Sequence, residues 1–186
     1  MSAMHKQFLV AELMRTDANV LARCNCAIAG GAVRDVEHDV PFKDVDVAFW
    51  NMSIPEFLET WRQYFDRCPY PVQIDAESFG MVSVGEDDPR LQTVFQFKLL
   101  GTPVGDVDVD WLLYGPQYRT LQDVLNTHDH SISQYGMWFD EDFSSHVKYF
   151  GKKVGHCYRL RSDLTDDRVI CVQATCAKLN WSYNGS

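Results

Sequence analysis

The chain has 186 residues, of which 46% are hydrophobic and 13% aromatic, and its formal net charge is -9. That composition predicts a folded chain with one domain, or one domain with a small appendage, and excludes a disordered one. The acidic balance disfavours extensive binding to a nucleic acid duplex, because such binding depends mainly on cationic contacts with phosphates.

The first half of the sequence alternates between helical and strand patterns. The signals are apolar residues at helical spacing, glycines after an apolar run, and strict alternation around β-branched residues. They predict, in chain order, a helix over 7–16, a buried strand ending in a glycine turn over 25–31, a short helix over 32–38, a strand over 43–50 and a helix over 53–65. The last helix opens with Ser53 three residues before Glu56, the pattern of a capping box, and has Pro55 in its first turn.

The second half is expected to add strands first and helices afterwards. Strand patterns occur over 72–74, 81–84, 93–99 and 107–114, and helical patterns over 120–128, 131–139 and 165–181. Thr165 is a candidate N-cap for the last helix. This order of elements predicts an α/β fold, in which helices pack against a mixed sheet.

Location and redox state can also be predicted. No apolar run is long enough to cross a bilayer, and the first residues lack the apolar core and cleavage site of a signal peptide. We therefore expect a cytoplasmic protein without a membrane partner. The six cysteines are scattered, which favours reduced thiols over a disulfide framework. Cys24 and Cys26 form a C-x-C pair, but no second pair at zinc spacing follows, so a structural zinc site is not expected.

Two of the predicted strands carry aspartates at every second position. Because side chains alternate faces along a strand, Asp44 and Asp46 share one face. The segment GDVDVDW repeats the pattern with Asp106, Asp108 and Asp110. If the two strands are neighbours, four or five carboxylates converge on one patch. Mg²⁺ favours such oxygen ligands, and paired carboxylates can hold the two cations used in phosphoryl transfer.

These aspartates have two other interpretations. An Asp-x-Asp pair on an alternating strand is commonly the solvated face of a half-buried sheet. A calcium loop at DVDVDW is disfavoured, because its sixth position is Trp111 instead of Gly and its twelfth is Gln117 instead of Glu.

The glycine pair Gly30–Gly31 stands between a predicted strand and a predicted helix. Glycine lets the backbone approach a ligand closely, and a helix N-terminus can face an anion. A glycine pair alone also fits a plain tight turn. A glycine turn followed thirteen residues later by an Asp-x-Asp pair is a more specific arrangement, which fits a triphosphate beside a metal site.

The combination of GGAVRD and KDVDVAF resembles the head-domain signature of nucleotidyltransferases of the DNA polymerase beta superfamily, and tRNA CCA-adding enzymes and bacterial poly(A) polymerases most closely. The matching residues are Gly30, Gly31, Val33, Arg34, Asp35, Asp44 and Asp46. The segment HDHSISQ is similar to one that follows the catalytic strands in those enzymes and in compact, often phage-encoded relatives. Its matching residues are Asp129, Ser131, Ile132 and Gln134, whereas His128, His130 and Ser133 depart from the family's Arg, Phe and Asn.

The resemblance, which covers residues 25–135, implies a polymerase-beta-like nucleotidyltransferase palm over 1–140 with a short C-terminal extension, 141–186, packed on it. It implies that Asp44, Asp46 and Asp110 are catalytic and hold Mg²⁺ (or Mn²⁺), with Asp108 as the alternative third carboxylate. The residues that it implies for nucleotide binding are Gly30, Gly31, Arg34, Asp129, Ser131 and Gln134. The implied reaction transfers a nucleoside monophosphate from a nucleoside triphosphate such as ATP to an acceptor hydroxyl. The expected acceptor is an RNA 3′ end such as that of tRNA.

Alternatives remain open at this point. The chain could be an inactive nucleotide-binding or partner-binding protein with the same fold, or could modify a protein or a small molecule. Transferases of the aminoglycoside type usually have Gly-Ser where this chain has Gly30–Gly31. Large helical domains that hold tRNA in the CCA-adding enzymes have no counterpart after residue 140, so a protein partner could supply that grip.

Residues 146–161 contain five Lys or Arg and no acid, and form either a solvated face or a contact for RNA. In the second case, Tyr149, Phe150 and Tyr158 would be available to stack on an unpaired RNA end. The His-Asp-His cluster at 128–130 could also suggest a metal site, but a nucleotide-pocket or structural role is favoured.

Overall fold

A mixed sheet organises the computed structural model, which describes residues 2–10, 21, 24–74, 89–140, 142 and 144–185. The strands are β1 (Cys26–Ala29), β2 (Asp44–Phe49), β3 (Val72–Gln73), β4 (Leu91–Thr102), β5 (Gly105–Tyr114), β6 (Tyr135–Phe139), β7 (Ser145–Tyr149), β8 (His156–Tyr158) and β9 (Ser182–Asn184). The helices are α1 (Ser2–Gln7), α2 (Gly31–Glu37), α3 (Ile54–Phe65), α4 (Leu121–Leu125) and α5 (Asp166–Lys178), with a 3₁₀ turn over Ser131–Ser133.

Seven strands form the main sheet in the order β3-β4-β5-β2-β1-β6-β7, and β8 pairs with β9 in a separate two-stranded sheet. Within the main sheet β2 and β5 run parallel, and the other neighbouring pairs are antiparallel. The predicted α/β fold with a mixed sheet and packed helices is therefore confirmed. Among the described residues, no helix combines the length and the apolar character needed to span a bilayer.

Most of the predicted elements within the described residues are present. In α3 the Ser53 hydroxyl accepts a hydrogen bond from the Glu56 N–H, and the Glu56 carboxylate accepts one from the Ser53 N–H, which confirms the capping box. Thr165 caps α5 as predicted, by accepting from the Arg168 N–H. Helix α4 is shorter than predicted. The strand expected over 81–84 and residues 11–16 of the expected N-terminal helix lie outside the described residues.

The helix predicted over 131–139 is wrong, because only the 3₁₀ turn is helical and the rest is β6. Strand β6 lies between β1 and β7, and its first three residues are buried, so its sequence lacks the alternation that marks a half-buried strand. Gly136 also lets α4 pack closely against β6, because a Cβ atom at this position would lie 2.9 Å from Leu121 Cδ2. The short strands β7, β8 and β9 were not predicted. Strand β7 joins residues 145–149 to the main sheet, while the domain boundary at residue 140 stays a prediction.

The main core lies between the sheet and α3. The odd-numbered residues of β5 from Val107 to Leu113 are buried on this side, and Trp111, only 1% exposed, lies at its centre. The Trp111 ring centroid lies 4.7 Å from that of Phe49 in β2 and 4.9 Å from that of Tyr64 in α3. Because side chains alternate along β5, this packing directs its aspartates to the opposite face of the sheet. The aromatic core therefore fixes which face carries the acids.

We predict that Trp111→Ala lowers the free energy of unfolding by roughly 3–5 kcal/mol, because it leaves a cavity among β2, β5 and α3. The matched control is Trp61→Ala at the partly exposed edge of the same aromatic cluster, where the cost should be clearly smaller. Urea unfolding followed by tyrosine fluorescence and circular dichroism measures both. Equal losses would show that Trp111 is not the centre of this core.

Candidate active site

Four aspartates meet where β2 lies beside β5. The parallel register places Asp44 opposite Asp108 and Asp46 opposite Asp110. Neighbouring strands lie about 4.8 Å apart, so these acids form one compact patch on the open face of the sheet. The sequence predicts that these carboxylates converge if the two strands are neighbours, and in the structure the two strands are neighbours. Asp106 lies apart from the patch, because its carboxylate accepts a hydrogen bond of 2.9 Å from the Gly101 N–H near the β4–β5 turn.

The electrostatics of this patch distinguish its members. Burial, reinforced by the charges of Asp110 and Asp44, raises the pKa of Asp46 to about 7, although Arg168 opposes the shift. Burial also raises the pKa of Asp110, while a 3.2 Å hydrogen bond from Gln96 opposes the effect. Within the patch, Asp46 and Asp110 are therefore the two carboxylates whose ionised forms the fold disfavours.

This donor set fits a divalent cation. Carboxylate oxygens are the ligands that Mg²⁺ prefers, and a cation would compensate the negative charge whose burial, together with repulsion from Asp110 and Asp44, raises the pKa of Asp46. In the part of the chain that the structure describes, no three His, Cys, Asp or Glu side chains are already gathered round a common metal position. Of the two candidates for the third carboxylate, Asp110 lies opposite Asp46, whereas Asp108 is exposed and pairs with Lys98 at 3.1 Å. The arrangement favours Asp110 as the third carboxylate.

The glycine turn touches the acid patch. Gly30 has a φ of +81° and a ψ of -132°, a conformation that favours glycine. A Cβ atom at Gly30 would lie 3.2 Å from His128 Cε1 and 3.6 Å from Asp46 Oδ2. The positive φ and the tight approach to His128 therefore favour glycine here, whereas the distance to Asp46 is that of an ordinary contact. The Gly30 N–H itself is used within the fold, since it donates to the Tyr135 carbonyl at 2.8 Å.

The other residues predicted for nucleotide binding occupy different surroundings. Arg34 pairs with its neighbour Asp35, with 2.6 Å between Nη2 and Oδ1. The Ser131 hydroxyl accepts from the Tyr158 N–H at 2.8 Å, and the Gln134 amide donates to the Leu125 carbonyl at 3.2 Å. Ser131 and Gln134 are buried and join parts of the fold. Their roles in nucleotide binding, with those of Gly31 and Arg34, stay predictions.

A cleft of about 330 Å³ opens beside Asp46, and we refer to it as the arginine cleft. Its lining consists of Asp46, Arg90, Leu112, Tyr114, Thr127, His128, Asp129, Arg161, Leu164 and Arg168. Of the predicted nucleotide-binding residues, only Asp129 lines it, and Asp129 is in contact with Arg168. Arg90 and Arg168 were not predicted, because no local motif marks either arginine and only the fold brings them to one cleft.

A second cleft, of about 470 Å³, lies on the other side of the acids, and we refer to it as the aspartate cleft. Its lining consists of Lys43, Asp44, Gln73, Gln96, Phe97, Lys98, Asp108 and Asp110. Asp46 therefore borders one cleft, while Asp44 and Asp110 border the other. The acid patch separates two spaces that two different reactants could occupy.

The basic run 146–161 does not form one surface. Lys152 and Lys153 are exposed in a turn, whereas Arg161 reaches the arginine cleft. Tyr149 packs between Tyr135 and Trp181, with ring centroids 4.9 and 5.5 Å away, and its hydroxyl is buried. The Tyr149 ring is partly buried and packs against the core, and its availability to stack on an RNA end stays a prediction.

The fold is similar to that of solved nucleotidyltransferases. One is a CCA-adding enzyme in its apo form, with a TM-score of 0.62, 14% identity and coverage of 96% of this chain and 39% of that chain. A CCA-adding enzyme in complex with ATP has a TM-score of 0.57 and 16% identity, and covers 95% and 39% of the two chains. The Thermotoga maritima CCA-adding enzyme complexed with tRNA has a TM-score of 0.56 and 13% identity. The match covers 100% of this chain and 42% of that chain.

This chain thus spans about two fifths of the length of the solved proteins that it matches. At the level of sequence, no family model and no curated protein matches it.

We predict that Asp46→Asn stabilises the metal-free protein at pH 8, by roughly 1–3 kcal/mol. The pKa of this carboxyl is about 7 in the fold and ordinarily 3.8. Between those values the fold holds a proton that the unfolded chain has lost, so stability falls as the pH rises through that window. The advantage of the variant should therefore shrink towards pH 4.5. Urea unfolding of both proteins in EDTA at the two pH values measures it, and an advantage independent of pH would contradict the assignment.

Gly30→Ala should destabilise the protein by roughly 2–3 kcal/mol, because it combines backbone strain with a tight contact on His128. Gly155→Ala is the control, since Gly155 has the same φ of +81° but no atom within 4 Å of an added Cβ. We expect a loss of about 1 kcal/mol there, from the positive φ alone. Thermal and urea unfolding measure both variants, and equal losses would mean that the approach to His128 is easily relaxed.

Proposed function

We propose that this chain, which has the nucleotidyltransferase head-domain fold of CCA-adding enzymes, transfers a nucleoside monophosphate from a nucleoside triphosphate to an acceptor hydroxyl. The observation that carries the proposal is the register of β2 and β5, which sets Asp44 and Asp46 beside Asp108 and Asp110 between two clefts. A reaction that joins two substrates across a metal-binding carboxylate patch needs this arrangement. The anionic nucleotide fits the arginine cleft, and the acceptor fits the aspartate cleft.

The residues of the patch have distinct tasks in this reaction. Asp44, Asp46 and Asp110 would hold Mg²⁺ (or Mn²⁺), which when bound neutralises charge on the phosphates. Asp110, at the edge of the aspartate cleft, accepts the proton of the acceptor hydroxyl, and Gln96 orients its carboxylate through the 3.2 Å hydrogen bond. The acceptor oxygen bonds to the α-phosphorus as the bond to the pyrophosphate leaving group breaks.

The substrates follow from the same comparison. Solved proteins with this fold have been seen in complex with ATP, with CTP and with tRNA. We extend this to the present chain as a nucleoside triphosphate, ATP or CTP, and an RNA 3′ end such as that of tRNA. Because the chain spans about two fifths of those proteins, we include a protein partner that strengthens the grip on the acceptor.

We predict that Asp46→Asn and Asp110→Asn each reduce nucleotidyl transfer by roughly 100-fold or more, since each removes a carboxylate from the metal-binding patch. The matched control is Asp106→Asn, because Asp106 lies on the same face of β5 but bonds to Gly101 outside the patch. Transfer of label from α-³²P-labelled ATP or CTP to tRNA, with Mg²⁺ or Mn²⁺, is the measurement.

Three outcomes would change the proposal. Equal losses in all three variants would remove the special role of the patch. Transfer to cell proteins or small molecules, with none to RNA, would show that the acceptor is not RNA. The proposed nucleotidyl transfer would stand. Metal-dependent nucleotide binding without any transfer would identify an inactive binding protein on the same fold.

A further inference from the structure

One carboxylate of the acid patch has no task in the proposed reaction. Asp44, Asp46 and Asp110 are assigned to the metal site, which leaves Asp108. Asp108 forms an ion pair with Lys98 of β4, with 3.1 Å between Nζ and Oδ1. Both side chains line the aspartate cleft. The Lys98–Asp108 pair therefore needs an explanation of its own.

Lys98 belongs to a row of polar side chains that crosses four strands on the open face of the sheet. The registers place it opposite Gln73 of β3 on one side and Asp108 of β5 on the other, and Asp108 in turn lies opposite Asp44 of β2. Residues directly opposite each other in neighbouring strands share one face. Lys98 therefore lies on the face of the sheet that carries Asp110.

The position of Lys98 relative to Asp110 suits contact with an acceptor. Gln96, two residues before Lys98, lies opposite Asp110 and donates a hydrogen bond to it. Two residues along a strand span about 6.6 Å, so Lys98 lies one such step from the carboxylate that accepts the proton. Along β5 the arginine cleft is lined by Leu112 and Tyr114, beyond Asp110. Lys98 and the proposed nucleotide therefore lie on opposite sides of Asp110.

The fold itself gains little from this lysine. The Lys98 side chain is 39% exposed and that of Asp108 is 61% exposed, and ion pairs with such exposure add little to stability. Lysines often protect the open edge of a sheet, but Lys98 pairs with Gln73 of β3 and is not at an edge. A lysine in the middle of the sheet, beside the proposed metal site, points to an anionic ligand.

The composition of the aspartate cleft favours a nucleic acid as that ligand. Lys43, next to β2, and Lys98, in β4, flank its aspartates, and Gln73 and Gln96 add amide groups. A phosphodiester offers anionic oxygens to a lysine, and the ribose hydroxyls offer hydrogen bonds to amides. The hydroxyl of a protein side chain or of a neutral small molecule has no such anion beside it. The cleft thus matches an RNA end better than either alternative acceptor.

We propose that Lys98 binds the last phosphodiester of an RNA acceptor, the linkage next to the terminal nucleotide whose 3′ hydroxyl reacts. This inference rests on the proposed function, because it takes RNA as the acceptor, and it makes Lys98 the residue that selects a polyanion. Asp108 balances the charge of Lys98 while the cleft is empty. Lysine suits both contacts, since its ammonium group carries three donors on a flexible stem.

The first test measures the binding of a short single-stranded RNA with a 5′ fluorescent label, by anisotropy in Mg²⁺ without nucleotide. Lys98→Gln should weaken binding roughly 5- to 10-fold and flatten its salt dependence by a slope of about 0.7, because one phosphate contact is lost. Lys98→Arg keeps the charge and should retain most of the affinity. Asp108→Asn should leave the affinity unchanged or raise it, because it removes a negative charge that competes with the phosphate.

A modified RNA locates the contact. It carries one uncharged methylphosphonate in place of the last phosphodiester, and the control RNA carries the same replacement at its 5′ end. The wild type should bind the first RNA about as weakly as Lys98→Gln binds the unmodified RNA, and should bind the control RNA almost normally. Lys98→Gln should bind all three RNAs alike. The losses from the variant and from the terminal replacement should therefore not add, as expected for two groups in direct contact.

Lys6→Gln is the matched control, because Lys6 forms an exposed ion pair with Glu37 at 2.9 Å and lines neither cleft. Its RNA affinity should equal that of the wild type. If Lys98 and Asp108 only fastened β4 to β5, Lys98→Gln would lower the unfolding temperature and leave RNA binding unchanged, which would overturn the proposal. Equal losses from the terminal and the 5′ replacement, or no RNA binding by the wild type, would overturn it too. Circular dichroism and thermal unfolding check that every variant keeps its fold.

Binding of RNA requires no transfer, so the two proposals fail separately. A wild type that binds the RNA end through Lys98 but transfers no nucleotide would refute the proposed reaction and keep this inference. A wild type that transfers nucleotide to RNA while Lys98→Gln binds and reacts normally would do the reverse.

Discussion

The parallel, in-register pairing of β2 with β5 is the constraint on which the rest of the site depends. It brings Asp46 beside Asp110 from positions far apart in the chain, and it does so only because one face of both strands is committed to the aromatic core. A slip of one residue would turn the aspartates inward and Trp111 outward. Hydrophobic packing on one face thus fixes the positions of charges on the other.

The two faces of the sheet therefore affect stability in opposite directions. Behind it, Trp111 and Phe49 of the sheet form a close-packed cluster with Phe57 of α3. In front, burial and neighbouring charge raise the pKa of Asp46, which shows that its ionised form is unfavourable in the fold. A large core is what lets a small domain retain such a patch. The conflict between local charge and global stability is typical of sites built for a charged ligand.

Helices and strands whose apolar residues repeat at regular spacing could be predicted from the sequence, and the other elements could not. The alternation around Asp44 and Asp108 indicated both central strands, and the capping box located α3. Strand β6 was mistaken for a helix because burial removes its alternation. Arg90 and Arg168 of the arginine cleft had no local signal, since they line one cleft only after the sheet and α5 have formed. Likewise, burial of the Tyr149 hydroxyl depends on packing against Trp181, which a run of basic residues does not indicate.

Strand order has a further consequence, which concerns biosynthesis. Strand β1 lies between β2, which follows it closely in the chain, and β6, which is made more than a hundred residues later. One edge of β1 therefore stays unpaired while most of the chain emerges from the ribosome. Arg168 is made later still, so the nascent chain carries its acid patch before this arginine, which lines the cleft beside Asp46. Contacts of such long range slow folding and leave edges exposed. The nascent chain therefore completes its arginine cleft only after the central strands of the sheet have been made.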